Sequence, residues 1–189
     1  NGVILVEGIA EAILLPILSR IYMNIDLDEH GIEVVNINGV AFEHFAKLFN
    51  NEDEDKRLLA RCAIITDSDP RATKPKSDRA IKAEEFEGAN LKVCLAPNTL
   101  EHDLFEECDE NKRILQTVYR EMHPETDELN GDFSIDVFMT KLKSNRDKGD
   151  FALELQAALT ENNGFEVPNY IKNAINWVVL TENIAQDAV

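Results

Sequence analysis

Three short apolar runs, each closing on acidic residues, constrain this chain more than any other feature. They are Val-Ile-Leu-Val-Glu (3–7), Cys-Ala-Ile-Ile-Thr-Asp-Ser-Asp (62–69) and Lys-Val-Cys-Leu-Ala-Pro-Asn-Thr-Leu-Glu-His-Asp (92–103). Between them lie helical patterns: residues 8–22, apolar nearly all round, residues 42–49, with Phe42, Phe45 and Phe49 on one face, and a short stretch near 80–86. A further run, Ile-Glu-Val-Val-Asn-Ile (32–37), reads as another strand. Strands alternating with helices predict βαβ units and a parallel sheet. Right-handed crossovers then bring the carboxyl ends of the strands to one rim, the place where open α/β sheets bind ligands. Pro16 lies inside the first helical pattern and is expected to kink or break it. From Thr99 onward the pattern is helical, over 100–108, 111–123, 135–142, 151–160 and 170–180. The expected architecture is an α/β core of four parallel strands over residues 1–105, with a helical extension over 106–189.

This topology delivers Glu7, Asp67, Asp69, Glu101 and Asp103 to one rim. Carboxylates gathered so closely repel one another unless a divalent cation lies among them. That predicts Mg²⁺ or Mn²⁺ and points to phosphoryl chemistry. Gly8 permits close backbone approach after the first strand. Glu11 stands four residues beyond Glu7, where it can reach the same ion; compensation of the helix N-terminus is its ordinary alternative. Asp67-Ser68-Asp69 is a motif common in turns, and it gains meaning from the apolar run before it and from Glu7. Thr99 is a plausible helix N-cap, with Glu101 in the first turn. His102 reads as an exposed surface histidine. Lys148, before Gly149 at a helix start, could stabilise charge developing on a scissile phosphate, although a solvated loop lysine is commoner. Arg71, Lys74, Lys76, Arg79 and Lys82 form a basic stretch after the acidic pair, suited either to phosphate contact or to simple solvation.

Composition narrows the partners. The 36 Asp and Glu against 19 Lys and Arg give a net charge of −17, so any main grip on nucleic acid is expected outside this chain. Cys62, Cys94 and Cys108 are too few and too irregularly spaced for a disulfide framework or a zinc motif, and read as reduced thiols in a cytoplasmic protein. The apolar run 3–18 carries Glu7 and Glu11 and lacks a basic leader, so neither a signal peptide nor a membrane span is expected. The abrupt opening on a strand is what a segment of a longer polypeptide would show.

Strand-Glu-Gly-helix followed by strand-Asp-x-Asp resembles the TOPRIM domain of topoisomerases, primases and related nucleases. Residues 6–16, 65–69, 98–104 and 148–152 together resemble the C-terminal nuclease half of the OLD (overcoming lysogenization defect) family. The resemblance covers about 150 residues in the expected order and implies an ATP-dependent endonuclease acting on DNA, with a role in phage defence. It implies metal ligands at Glu7, Glu11, Asp67, Asp69 and Glu101, a supporting position for Asp103, and a catalytic lysine at Lys148. Glu7 and Asp67 carry the catalytic load with it, and two ions would serve one phosphodiester. The family's N-terminal ABC-type ATPase also dimerises it. No Gly-x-x-x-x-Gly-Lys-Ser/Thr loop occurs here, so that half is absent and this chain alone is expected as a monomer. No tyrosine is expected beside the acids to support a topoisomerase-type covalent intermediate. Two other classes fit acids at strand ends: a receiver- or haloacid-dehalogenase-like phosphotransfer domain, and a nonenzymatic module binding a metal or partner.

Overall fold

A computed structural model describes residues 1–38, 42–68, 75–125, 133–159 and 164–179. Its centre is a four-stranded, wholly parallel sheet of β1 (Gly2–Val6), β2 (Ile32–Asn36), β3 (Arg61–Asp67) and β4 (Leu91–Ala96), in the order β2-β1-β3-β4. The expected four parallel strands are therefore present. Alternate residues of each strand enter different cores, as the period of two requires. Ile4, Val6, Ala63, Ile65, Cys94 and Ala96 face one layer of helices. Leu5, Cys62, Ile64, Leu91 and Val93 face the other. Both faces are covered, which explains why these strands are apolar without alternation.

The smaller core lies under α2 (Glu43–Phe49) and α3 (Asp78–Glu84), through Phe42, Ala46, Phe49 and Ala83. The larger one takes α1 (Ile9–Met23), α4 (Leu100–Glu107), α5 (Asp109–Met122), α6 (Ile135–Lys141), α7 (Asn145–Ala158) and α8 (Asn169–Val179). The helices after Phe105 thus share one continuous core with the sheet. α7 packs along α1, and α8 crosses β1, β3 and β4. No described helix is long and apolar enough to cross a membrane.

Two local expectations fail. α1 runs unbroken through Pro16. Proline removes one N–H and opens the turn before it; here Gln156 of α7 donates to the Ile13 carbonyl in that turn at 3.1 Å. Burial of Leu14, Leu15, Ile17 and Leu18 on both sides holds the helix together. α7, for its part, begins at Asn145 rather than near Phe151. The Ser144 hydroxyl accepts from the Asp147 N–H and the Asp147 carboxylate accepts from the Ser144 N–H, each at 3.1 Å. This capping box starts the helix ahead of its apolar stripe.

Candidate metal centre

At the carboxyl rim of the sheet, Glu7, Gly8, Ile9, Glu11, Asn36, Asn38, Asp67, Glu101 and Lys148 line an open cleft of about 630 Å³. The strand order explains the meeting. β1 and β3 are neighbours, so Glu7 and Asp67 leave the sheet side by side. Glu11 sits in the first turn of α1 and Glu101 in the first turn of α4, so both carboxylates lie beside free helix N–H groups. Gly8 leaves room for Glu11 as it lies: a Cβ there would stand 2.6 Å from that carboxylate and would displace it. Lys148 arrives from the first turn of α7, where Gly149 lets the helix close on α1, a Cβ at 149 lying 3.3 Å from Ile9.

The side chains are held by internal cations and hydroxyls. Lys148 Nζ donates to Glu101 Oε2 at 2.8 Å, with the two side chains 26% and 4% exposed. Arg79 Nη2 pairs with Glu7 Oε2 at 2.9 Å, and the buried Thr66 hydroxyl donates to Glu7 Oε1. Burial pushes the Glu11 carboxyl above the usual carboxylate range, and the charges of Glu101 and Glu7 push the same way against Lys148. The cleft therefore carries an excess of negative charge that its own cations only partly offset.

The cleft brings together Glu7, Glu11, Asp67, Glu101 and Lys148. Asp69, together with Arg71 and Lys74, lies outside the described residues. Asp103 points elsewhere: it accepts from the Asn98 N–H at 3.2 Å and from Asn98 Nδ2 at 3.1 Å, and it lines a separate cavity at the edge of β4. Burial raises its carboxyl above the ordinary range, while the Asn98 bonds lower it. Its contacts hold the β4–α4 connection that presents Glu101. Thr99 occupies the N-cap position of α4 in extended conformation, but its hydroxyl makes no cap bond and is buried without a partner. His102 is half-buried rather than exposed, its Nδ1 also without a hydrogen-bond partner.

Sequence reasoning missed several contributors. Thr66 belongs to an apolar run and looks like one more strand residue; alternation alone hints that it shares a side with neither Ile65 nor Asp67. Asn36 and Asn38 end β2, and the Asn38 N–H donates to Asn36 Oδ1 at 2.8 Å, with Asn38 at φ 50°. Polar residues at the exit of a strand beside β1 were the available signal. Tyr170, at the start of α8, is buried within electrostatic reach of Asp103, Glu11, Asp67 and Glu101. It lines the cavity of Asp103 rather than the cleft. Burial, followed by those negative charges, raises its hydroxyl well above the ordinary range, which disfavours the phenolate that nucleophilic attack requires.

The donor chemistry fits a hard divalent cation, because carboxylate and amide oxygens converge and no thiol or imidazole lines the cleft. As oriented, no three His, Cys, Asp or Glu side chains among the described residues form a group able to hold an ion. Glu7 and Glu101 are instead engaged by Arg79 and Lys148.

Comparison with known proteins agrees with this geometry. The model of the overcoming lysogenization defect protein-like TOPRIM domain matches residues 1–69. The whole fold is similar to the C-terminal region of the Xanthomonas campestris pv. campestris OLD protein, at 26% identity over 98% of this chain and 94% of that one, with a TM-score of 0.67. The C-terminal region of the Burkholderia pseudomallei OLD protein shares the fold at 23% identity, over 94% of this chain and 96% of that one, with a TM-score of 0.67. No curated protein matches the chain.

Proposed function

We propose that this chain, whose residues 1–69 match the OLD-like TOPRIM domain and whose fold is similar to the C-terminal regions of OLD proteins, is a divalent-metal-dependent DNA endonuclease. The observation that carries the reading is the convergence of Glu7, Glu11, Asp67 and Glu101 with Lys148 in one open cleft at the strand ends. Glu7, Glu11, Asp67 and Glu101, with Asp69 from the adjoining segment, are the residues that would hold two Mg²⁺ or Mn²⁺ ions. Ions bound there supply Lewis-acid stabilisation of the charge that builds on the phosphate and on the leaving oxygen.

The protein's own part is positioning and charge. α1 and α4 present the Glu11 and Glu101 carboxylates from their first turns, which positions them at the rim. Lys148 reaches the cleft from the opposite side on α7. Once Glu101 has another partner, its ammonium faces the position of a scissile phosphate and stabilises the transition state electrostatically. Asn36 and Asn38 add uncharged donors where a phosphate or sugar oxygen can meet them. The chain's net charge of −17 places the main DNA grip elsewhere. An N-terminal ABC-type ATPase region of the same polypeptide, as the resemblance implies, is the proposed partner, in a cytoplasmic enzyme directed against phage DNA.

Supercoiled plasmid incubated with the purified chain tests this directly. Nicking is expected with Mg²⁺ or Mn²⁺ and none with EDTA, and Asp67→Ala should remove it while circular dichroism stays unchanged. Undiminished nicking by Asp67→Ala would sink the site assignment. A hydroxylamine-labile acyl phosphate trapped on an aspartate would instead identify a phosphotransfer domain.

A further inference from the structure

The pair Arg79–Glu7 joins the acidic cleft to a second cavity. Arg79 stands in the first turn of α3, which Ser77 caps through the Ala80 N–H at 3.1 Å. The Ser77 N–H donates to the Ser68 carbonyl at 2.7 Å, so α3 starts beside the end of β3 and next to the cleft. The Arg79 side chain is 45% exposed, whereas Glu7 is 19% exposed. Its guanidinium lies 5.9 Å from the Phe42 ring centroid, a placement that steadies the cation without consuming its N–H groups. On its far side Arg79, with Lys82, Phe42 and Phe86, lines an open groove of about 490 Å³ between α2 and α3. Asp78 and Glu43 also border that groove.

We propose that Arg79 is a DNA-phosphate contact held in reserve by Glu7, and that loading of the cleft with a divalent ion releases it to the strand entering along the α2–α3 groove. This rests on the metal-dependent reading of the cleft given above. Glu7 cannot serve a divalent ion and the guanidinium with full strength through the same oxygen, so the two cations compete for it. An arginine freed from Glu7 beside its aromatic neighbour can turn its fork toward the open groove that it already lines. Guanidinium suits this task because its planar donors match phosphate oxygens two at a time. In a chain this acidic, such an exchange withholds the positive contact until the centre is loaded. Linkage then makes the effect reciprocal: the ion strengthens DNA binding, and DNA strengthens ion binding.

The test uses the 189-residue chain, its Arg79→Gln variant and Arg79→Lys, which keeps the charge but not the fork. Mn²⁺ is titrated without DNA, followed by its paramagnetic resonance signal. Binding of a labelled duplex oligonucleotide is measured by anisotropy in Ca²⁺ and in EDTA. Removal of a competing exposed pair should tighten Mn²⁺ binding by Arg79→Gln about fivefold. The same variant should bind DNA about fivefold more weakly in Ca²⁺, with a salt dependence reduced by roughly one phosphate contact, and should match wild type in EDTA. Arg79→Lys should fall between. Unchanged or weaker Mn²⁺ binding by Arg79→Gln overturns the exchange. An equal loss of DNA affinity in Ca²⁺ and EDTA overturns the reserve, since the contact would then be permanent. Absence of Mn²⁺ binding by wild type itself overturns the metal reading and this inference together, and so separates the two failures.

Discussion

The two ends of the sheet use cations in opposite ways. At the amino end, Arg61 lies 4.6 Å and Lys92 5.8 Å from the Trp177 ring centroid. Arg61 also donates to the Trp177 carbonyl at 3.2 Å, and Trp177 Nε1 donates to the Cys62 carbonyl at 3.0 Å. These partners are a ring face and backbone oxygens already engaged as hydrogen-bond acceptors, not charged ligands. At the carboxyl end, Arg79 and Lys148 lie on Glu7 and Glu101, whose oxygens are good ligands for a hard cation. α8 touches both, with Tyr170 near the acids and Trp177 over the cations. The amino end is a closed set of contacts that holds the last helix on the sheet. On the proposed reading, the carboxyl end is a set of exchangeable ones and the working end.

The sharpest way to break this comparison is to remove a ligand. Asp67→Asn and Glu7→Gln should each abolish measurable Mn²⁺ binding and plasmid nicking while the melting transition persists; retained binding in both would place the centre elsewhere. Lys148→Ala should lower the nicking rate by about 10²-fold, the scale of losing one group that stabilises transition-state charge. It should also destabilise the metal-free protein, because the nearly buried Glu101 carboxylate loses its cation. Added Mn²⁺ should recover that stability, and a deficit that metal does not relieve would make the pair structural like those at the amino end.

Trp177→Ala tests the other end. It should cost about 3 kcal/mol of unfolding free energy in urea, with Mn²⁺ affinity unchanged. A shift in Mn²⁺ affinity would show that α8 couples the two ends. The smallest effect is expected at the capping box that sets the first turn of α7. Ser144→Ala should cost about 1 kcal/mol. The Asp147 carboxyl lies below its ordinary 3.8 because the Ser144 hydroxyl and N–H hold its charged form. A depressed folded value contributes stability that is present above the unfolded value and lost as pH falls through the folded one. The deficit of Asp147→Asn should therefore be seen at neutral pH and begin to shrink in melts as pH falls below the ordinary 3.8 toward the lower folded value.

Much of this was legible in the chain. Val3–Val6, Cys62–Thr66 and Lys92–Ala96 read as strands because burial on both faces demands unbroken apolar runs, and their acidic endings announced the rim. Partners were not legible. Glu7 and Asp67 could be placed together from topology, yet nothing local says that Thr66 and Arg79 hold Glu7. Asp103 is a carboxylate like Glu101 and lies at nearly the same position, but two positions on a helix turn a side chain by more than half a circle, toward Asn98 rather than the cleft. Pro16 carries a helix-breaking signal that a glutamine from α7 and a buried environment override.

By itself, the sequence determined the strands, their order of appearance, the acidic rim and the Lys-Gly at a helix start, because periodicity and turn chemistry act over a few residues. Tertiary structure decided which carboxylates share a cleft and which cation each one holds. Those choices depend on Coulombic and steric contacts among residues as far apart as Glu101 and Lys148, which come into reach only when α7 packs on α1 and the sheet is complete.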